Sequence, residues 1–117
     1  MSETPYLDYE SLDVYQCAID FVAVATRVGG ALPRGEAELK DQLKRACISV
    51  PLNIAESSGK NVGADRARFL TITRASALEC GAILDVGVAL GVVDPTAAAS
   101  GRALLARIVA MLTKMTR

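Results

Sequence analysis

The sequence predicts an all-α protein, an antiparallel up-down-up-down four-helix bundle, and three observations carry that expectation. Apolar residues recur at alternating spacings of three and four through four successive stretches, the signature of one-sided helices. Turn residues separate those stretches at Pro33-Arg34-Gly35, Gly59 to Gly63 and Gly91 to Pro95. No segment competes as a strand: the valine-rich piece Asp85 to Val93 continues the helical seam upstream of it. Helices of similar length joined by short turns pack as antiparallel neighbours.

The first helix is expected over Leu12 to Leu32, with Ser11 as N-cap and Asp13 in its first turn. Val14, Ala18, Ile19, Phe21, Val22, Ala25 and Val28 give it a wide apolar face, opposed by Asp13, Gln16, Asp20 and Arg27. Residues 1–11 read as an N-terminal tail of a single domain spanning 1–117. The second helix is expected over Glu36 to Ser58. It should kink at Pro51, which has no amide hydrogen to give the Cys47 carbonyl.

The third helix is expected over Ala64 to Leu90, with Phe69, Ile72, Ser76, Glu79, Ile83, Val86 and Leu90 as its core line and Gly91 closing it. That line would place Glu79 inside the apolar seam. Asp94 at the N-cap and Pro95 at the first helical position start the fourth helix. Its core line is Gly101, Leu104, Leu105, Ile108, Met111, Leu112 and Met115, with Arg102, Arg107, Lys114 and Arg117 outward.

The second helix carries the densest information. Glu38, Gln42, Arg45, Ser49, Asn53, Glu56 and Lys60 form a polar line along one face of a segment whose remaining circumference, Ala46, Cys47, Ile48, Val50, Leu52, Ile54 and Ala55, is apolar. Glu38, Gln42 and Lys60 read as solvated. Arg45, Ser49, Asn53, Glu56 and, from the third helix, Glu79 read as a structural polar network in a partly buried setting. Its simplest form pairs Arg45 or Asn53 with Glu79, or with carbonyls that Pro51 frees, because a buried unpaired charge costs several kcal/mol.

Composition excludes several kinds of chemistry. The 117 residues include no histidine, which removes Ser-His and Cys-His catalysis and His-based metal sites from this chain. Cys17, Cys47 and Cys80 sit on three different helices in apolar context and read as buried small hydrophobes. Glu56 and Glu79 could in principle serve as an acid-base or metal pair, but the chain has no Glu-x-x-His and no acid on the core face of the fourth helix. A non-enzymatic protein without metal or cofactor is therefore expected.

Net charge is zero, with five acids and two bases in residues 1–35 but one acid and four bases in residues 94–117. Such asymmetry can draw the first and last helices together. A hydrophobic fraction of 51% with only 4% aromatic residues means an aliphatic core and spare apolar surface, so self-association is expected. The opening MSETPYLDYE is acidic and lacks an apolar stretch, and no run approaches the roughly 20 apolar residues of a membrane span. A cytoplasmic location is the expectation.

Lys60, Arg66 and Arg68 gather around the turn Ser58 to Gly63, at the start of the third helix, as candidate nucleic-acid contacts. Against that reading, the turn lacks phosphate-loop spacing and follows no strand, so a plain helix-linking turn is the competing explanation.

The segment from Gln42, with Leu43, Lys44, Arg45, Ala46, Cys47, Ser49, Val50, Pro51, Asn53, Ile54, Ala55 and Glu56, resembles the signature of proteins encoded in intervening sequences of bacterial 23S ribosomal RNA genes. Arg68, Phe69, Leu70, Ile72, Ser76, Leu78 and Glu79 resemble that family's third-helix pattern, and Leu90-Gly91 its end. Ser57 and Ala75 stand where glycine is usual, and Cys80-Gly81 where a larger residue is expected. The resemblance implies a four-helix bundle that assembles as a homopentamer. It also implies a relation in fold to the accessory variability determinant of diversity-generating retroelements, which binds nucleic acid through a strongly basic surface that this neutral chain lacks. The function expected is an oligomeric scaffold or adaptor, its partners further copies of itself and RNA or a ribonucleoprotein. The alternative is a pure protein-interaction module without nucleic acid.

Overall fold

The computed structural model describes residues 7–60 and 63–116. Four helices account for most of them: α1 over Asp13–Gly30, α2 over Ala37–Ser58, α3 over Ala64–Ala89 and α4 over Pro95–Met115. Each packs on the next and α4 closes on α1, giving the four-helix bundle expected from the sequence.

The helix ends follow local chemistry. At the start of α4 the Asp94 carboxylate accepts a hydrogen bond from the Ala97 amide at 3.1 Å, and Pro95 takes the first helical position, where an amide hydrogen would be unused. Gly91 follows the last turn of α3 with a φ of 74°, a left-handed conformation that turns the chain so that Val92 and Val93 amides both donate to the Gly87 carbonyl. The start of α1 differs from expectation. Leu12, not Ser11, is its N-cap, because Asp8–Ser11 forms a 3-10 turn that moves the helix start along the chain. That turn packs on α1 and α2, with the Tyr9 and Tyr15 rings edge to face at 4.7 Å, so these residues join the body of the bundle. Residues 1–6 of the expected tail, and Arg117, lie outside the described residues.

The core is aliphatic. Phe21, Leu43, Val50, Ile54, Leu70, Leu84, Ile108 and Leu112 are fully buried, and all three cysteines are buried free thiols. Helices α1 and α4 meet through apolar contact: a Cβ on Gly101 would lie 3.3 Å from Phe21 Cε1 and 3.0 Å from Leu84 Cδ1, so only hydrogen lets α4 approach this closely. No ion pair joins these two helices among the described residues.

The core face of α3 is a correction. The buried line is Leu70, Thr73, Ala77, Cys80, Leu84 and Gly87, with Ile83 beside it, whereas Ile72, Glu79, Val86 and Leu90 are exposed. The bulky residues that suggested the other line point away from the bundle. Thr73, Ala77, Cys80 and Gly87 face inward together with Leu70 and Leu84, and a Cβ on Gly87 would collide with the side chain of Val93, from the connection that follows α3. Along α2, Pro51 is buried inside a helix that continues through it to Ser58. Ala46, Cys47, Val50 and Ile54 are buried there, but Ile48 and Leu52 are exposed.

Candidate functional site

Three regions are candidates for a functional site: the polar seam between α2 and α3, the turn between those helices, and the outer side of α3. The seam is a chain of three short polar side chains. Asn53 Nδ2 donates to the Ser49 carbonyl at 2.8 Å and to Ser49 Oγ at 2.9 Å, and Ser49 Oγ shares a hydrogen bond with Ser76 Oγ at 2.8 Å. All three residues are half-buried. Among the described residues no buried side-chain polar atom lacks a partner.

The rest of the expected network lies elsewhere. Arg45 is 71% exposed and pairs with Asp41 one turn back, at 3.2 Å. Glu56 is exposed and pairs with Lys60 at 3.5 Å. Glu79 is exposed on the outer side of α3, and among the described residues it makes no ion pair. Of the five residues, Ser49 and Asn53 are brought together; Arg45, Glu56 and Glu79 are held at the surface, where water solvates a charge at little cost. The partner that sequence reasoning missed is Ser76. Its signal was present, a serine on the α3 flank facing Ser49, but only an antiparallel register between α2 and α3 turns that into a contact.

At the turn, Lys60 Nζ sits 5.5 Å and Arg68 Cζ 4.8 Å from the centroid of the Phe69 ring, one cation from the end of α2 and one from the start of α3. Lys60 also meets Glu56, and Arg68 meets Asp65 at 3.9 Å. Arg66 is half-buried. Three cations thus stand beside two carboxylates, Glu56 having joined Asp65, and the local excess is one positive charge. Asn61 and Val62 lie outside the described residues.

Cys47 and Cys80 are chemically quiet. Burial, with the charges of Cys47 and Glu79 adding to it, pushes the Cys80 thiol up to about 12, and burial also raises Cys47, whose Sγ donates to the Lys44 carbonyl at 3.3 Å. Both remain protonated at neutral pH, which is the unreactive form. Among the described residues no three His, Cys, Asp or Glu side chains cluster as metal ligands would, and no helix is long and apolar enough to cross a membrane.

The outer side of α3 is unusual for a surface helix. Ile72, Ala75, Leu78, Ala82, Val86, Ala89 and Leu90 are all exposed along it, with Leu78 at 50%, Val86 at 48% and Leu90 at 58%, and Glu79 is the charge in their midst. Apolar residues therefore lie on the outer side of α3 as well as on its buried side, with Arg74 and Asp85 exposed along one edge.

The polar residues of the seam, Ser49, Asn53 and Ser76, belong to the two motifs on which the family resemblance rested, and the fold joins them. The family model described as 23S rRNA-intervening sequence protein matches residues 10–114. The chain belongs to that family. No curated protein matches it. As a 23S rRNA-intervening sequence protein, the chain shows what its departures from the family pattern do locally. Ser57, standing where glycine is usual, is buried and donates to the Ile54 carbonyl at 2.7 Å, so its hydroxyl is satisfied inside α2. Ala75, also at a glycine position, adds a methyl group to the exposed outer side of α3.

Proposed function

We propose that this 23S rRNA-intervening sequence protein is a non-enzymatic, self-associating helical scaffold whose first partner is a further copy of itself. The observation that carries the reading is the exposed apolar side of α3, which water would solvate badly and a second subunit would cover. Quiet thiols and a hydrogen-bonded polar seam support a structural task over a chemical one. The number of copies implied by the resemblance is five.

Gel filtration with light scattering tests it. A particle several times the 12.3 kDa chain mass that persists on dilution is expected; a monomer at high micromolar concentration overturns the proposal.

Engagement of RNA, or of a ribonucleoprotein, is the second reading, favoured by Lys60 and Arg68 against a half-exposed aromatic ring that a base could stack on, with Arg66 nearby in the chain. Glu56 and Asp65 reduce the charge available there. In a ring of subunits the turn would recur, and weak, salt-sensitive binding of structured RNA is expected, lost on replacing Lys60, Arg66 and Arg68 by glutamine. Absence of retention at low ionic strength leaves the protein-interaction scaffold alone.

A further inference from the structure

A shallow groove of about 300 Å³ runs between α1 and α2, and its two halves differ in chemistry. A Cβ on Gly29 would lie 3.7 Å from Lys40 Cγ, so the stem of Lys40 packs over that glycine and the two residues stand level in antiparallel helices. Counting along both helices from that contact puts Lys44 level with Ala25, and Cys47 level with Val22. One half of the groove is therefore apolar on both walls, with Val22 and Ala25 opposite Cys47 and Ile48. The other half sets Lys40 and Lys44 against Thr26, Gly29 and Gly30. Helical side chains lean towards the N-terminus of their own helix, so Lys44 leans towards Lys40 and away from the apolar half.

These lysines have no anion of their own. Both are exposed, and among the described residues neither makes an ion pair. Of the acids near them in the chain, Asp41 pairs with Arg45 at 3.2 Å, Glu38 accepts from the Gln42 side chain at 3.4 Å, and Glu36 belongs to the turn before α2 and pairs with neither lysine. The α1 wall of the groove carries no charge. Two like charges one helical turn apart repel each other, and an anion between them removes that cost.

From Lys40 to Ile48 the groove is about 12 Å long by the helical rise, and its volume lies at the small end of ligand pockets. We propose that it binds a small amphipathic anion, an unbranched aliphatic chain ending in a carboxylate. The carboxylate lies between the Lys40 and Lys44 ammonium groups, one oxygen to each, and the chain runs along Val22, Ala25 and Ile48. Burial of the chain supplies affinity, and the paired ammonium groups fix its direction. The site is built by α1 and α2 alone, so it does not depend on the self-association proposed above from α3.

Isothermal titration calorimetry of the full chain with octanoate tests the proposal, with the helicity of each variant followed by circular dichroism. Octanoate is expected to bind one molecule per chain, and octanol or acetate, each carrying one half of the ligand, about tenfold or more weakly. Lys40→Gln with Lys44→Gln should weaken octanoate binding by at least a similar factor. Gly30→Leu should do the same from the opposite wall, because a Cβ at Gly30 meets nothing within 4 Å and the added side chain fills the charged end of the groove without displacing another. No heat with octanoate, equal binding of octanol, or an affinity that either variant leaves unchanged overturns the proposal.

Discussion

Ser49 and Ser76 share a 2.8 Å hydrogen bond between hydroxyls on neighbouring helices, 27 residues apart in the chain. It is a polar contact that the register of α2 against α3 brings about. Ser49 Oγ also accepts from Asn53, which leaves its own hydroxyl hydrogen able to donate to Ser76 Oγ, and three short side chains hydrogen-bond one another in a half-buried seam without a charge.

Truncating the seam should therefore cost stability. Asn53→Ala and Ser76→Ala are each expected to lower unfolding free energy by about 1–2 kcal/mol, since each strands a partner hydroxyl or carbonyl. The double variant Ser49→Ala with Ser76→Ala should cost less than the sum of the two single changes. Arg45→Ala, whose pairing is at the surface, should fall within about 0.5 kcal/mol of the unaltered protein. Urea unfolding measures all four.

Gly87→Ala is expected to be among the more damaging single-methyl additions, at about 1–3 kcal/mol, because the new Cβ would collide with Val93. Adding Val93→Ala to it should recover part of the loss. Equal thermal midpoints for the single and double variants would show that the clash is not the cause.

At the start of α4, Asp94→Ala removes the acceptor of the Ala97 amide and should cost about 1 kcal/mol, whereas Asp94→Asn, which keeps an acceptor oxygen, should cost far less. Denaturant midpoints distinguish the two.

Cys80 makes stability depend on alkaline pH. Its thiol titrates at about 12 in the folded chain against an ordinary 9.0, so the folded state binds the proton more tightly than the unfolded one. The resulting stabilisation is complete below pH 9 and is lost as pH rises from 9 towards 12. Unfolding free energy should consequently fall more steeply over that range in the unaltered protein than in Cys80→Ala. Parallel curves would show that the thiol is not held in its neutral form.

The ends of the helices were legible in the chain because their causes are local. Asp94 and Pro95 act within one turn, and Gly91 supplies a φ of 74° wherever its neighbours go, so α4 and the end of α3 fall where the residues place them. A local rival could still intervene: the 3-10 turn at Asp8–Ser11 displaced the expected Ser11 cap to Leu12. The core of α4 read correctly through Gly101, Leu105, Ile108 and Leu112, since its polar side is clearly marked by Arg102 and Arg107.

The face that α3 turns inward was not legible, because apolar residues lie on two opposite sides of it and periodicity then does not choose between them. Side-chain bulk pointed to Ile72, Val86 and Leu90; the close packing that Ala77, Cys80 and Gly87 permit decided otherwise and put Glu79 outside. The same holds at the seam and the turn. That Ser49 and Asn53 need partners was visible in the sequence, but that the partner is Ser76, and that Lys60 and Arg68 settle over Phe69, depends on the register between two helices. Helix limits come from interactions a few residues long, which a sequence states directly; rotation and register come from the summed contacts of whole helices, and only the folded bundle decides them.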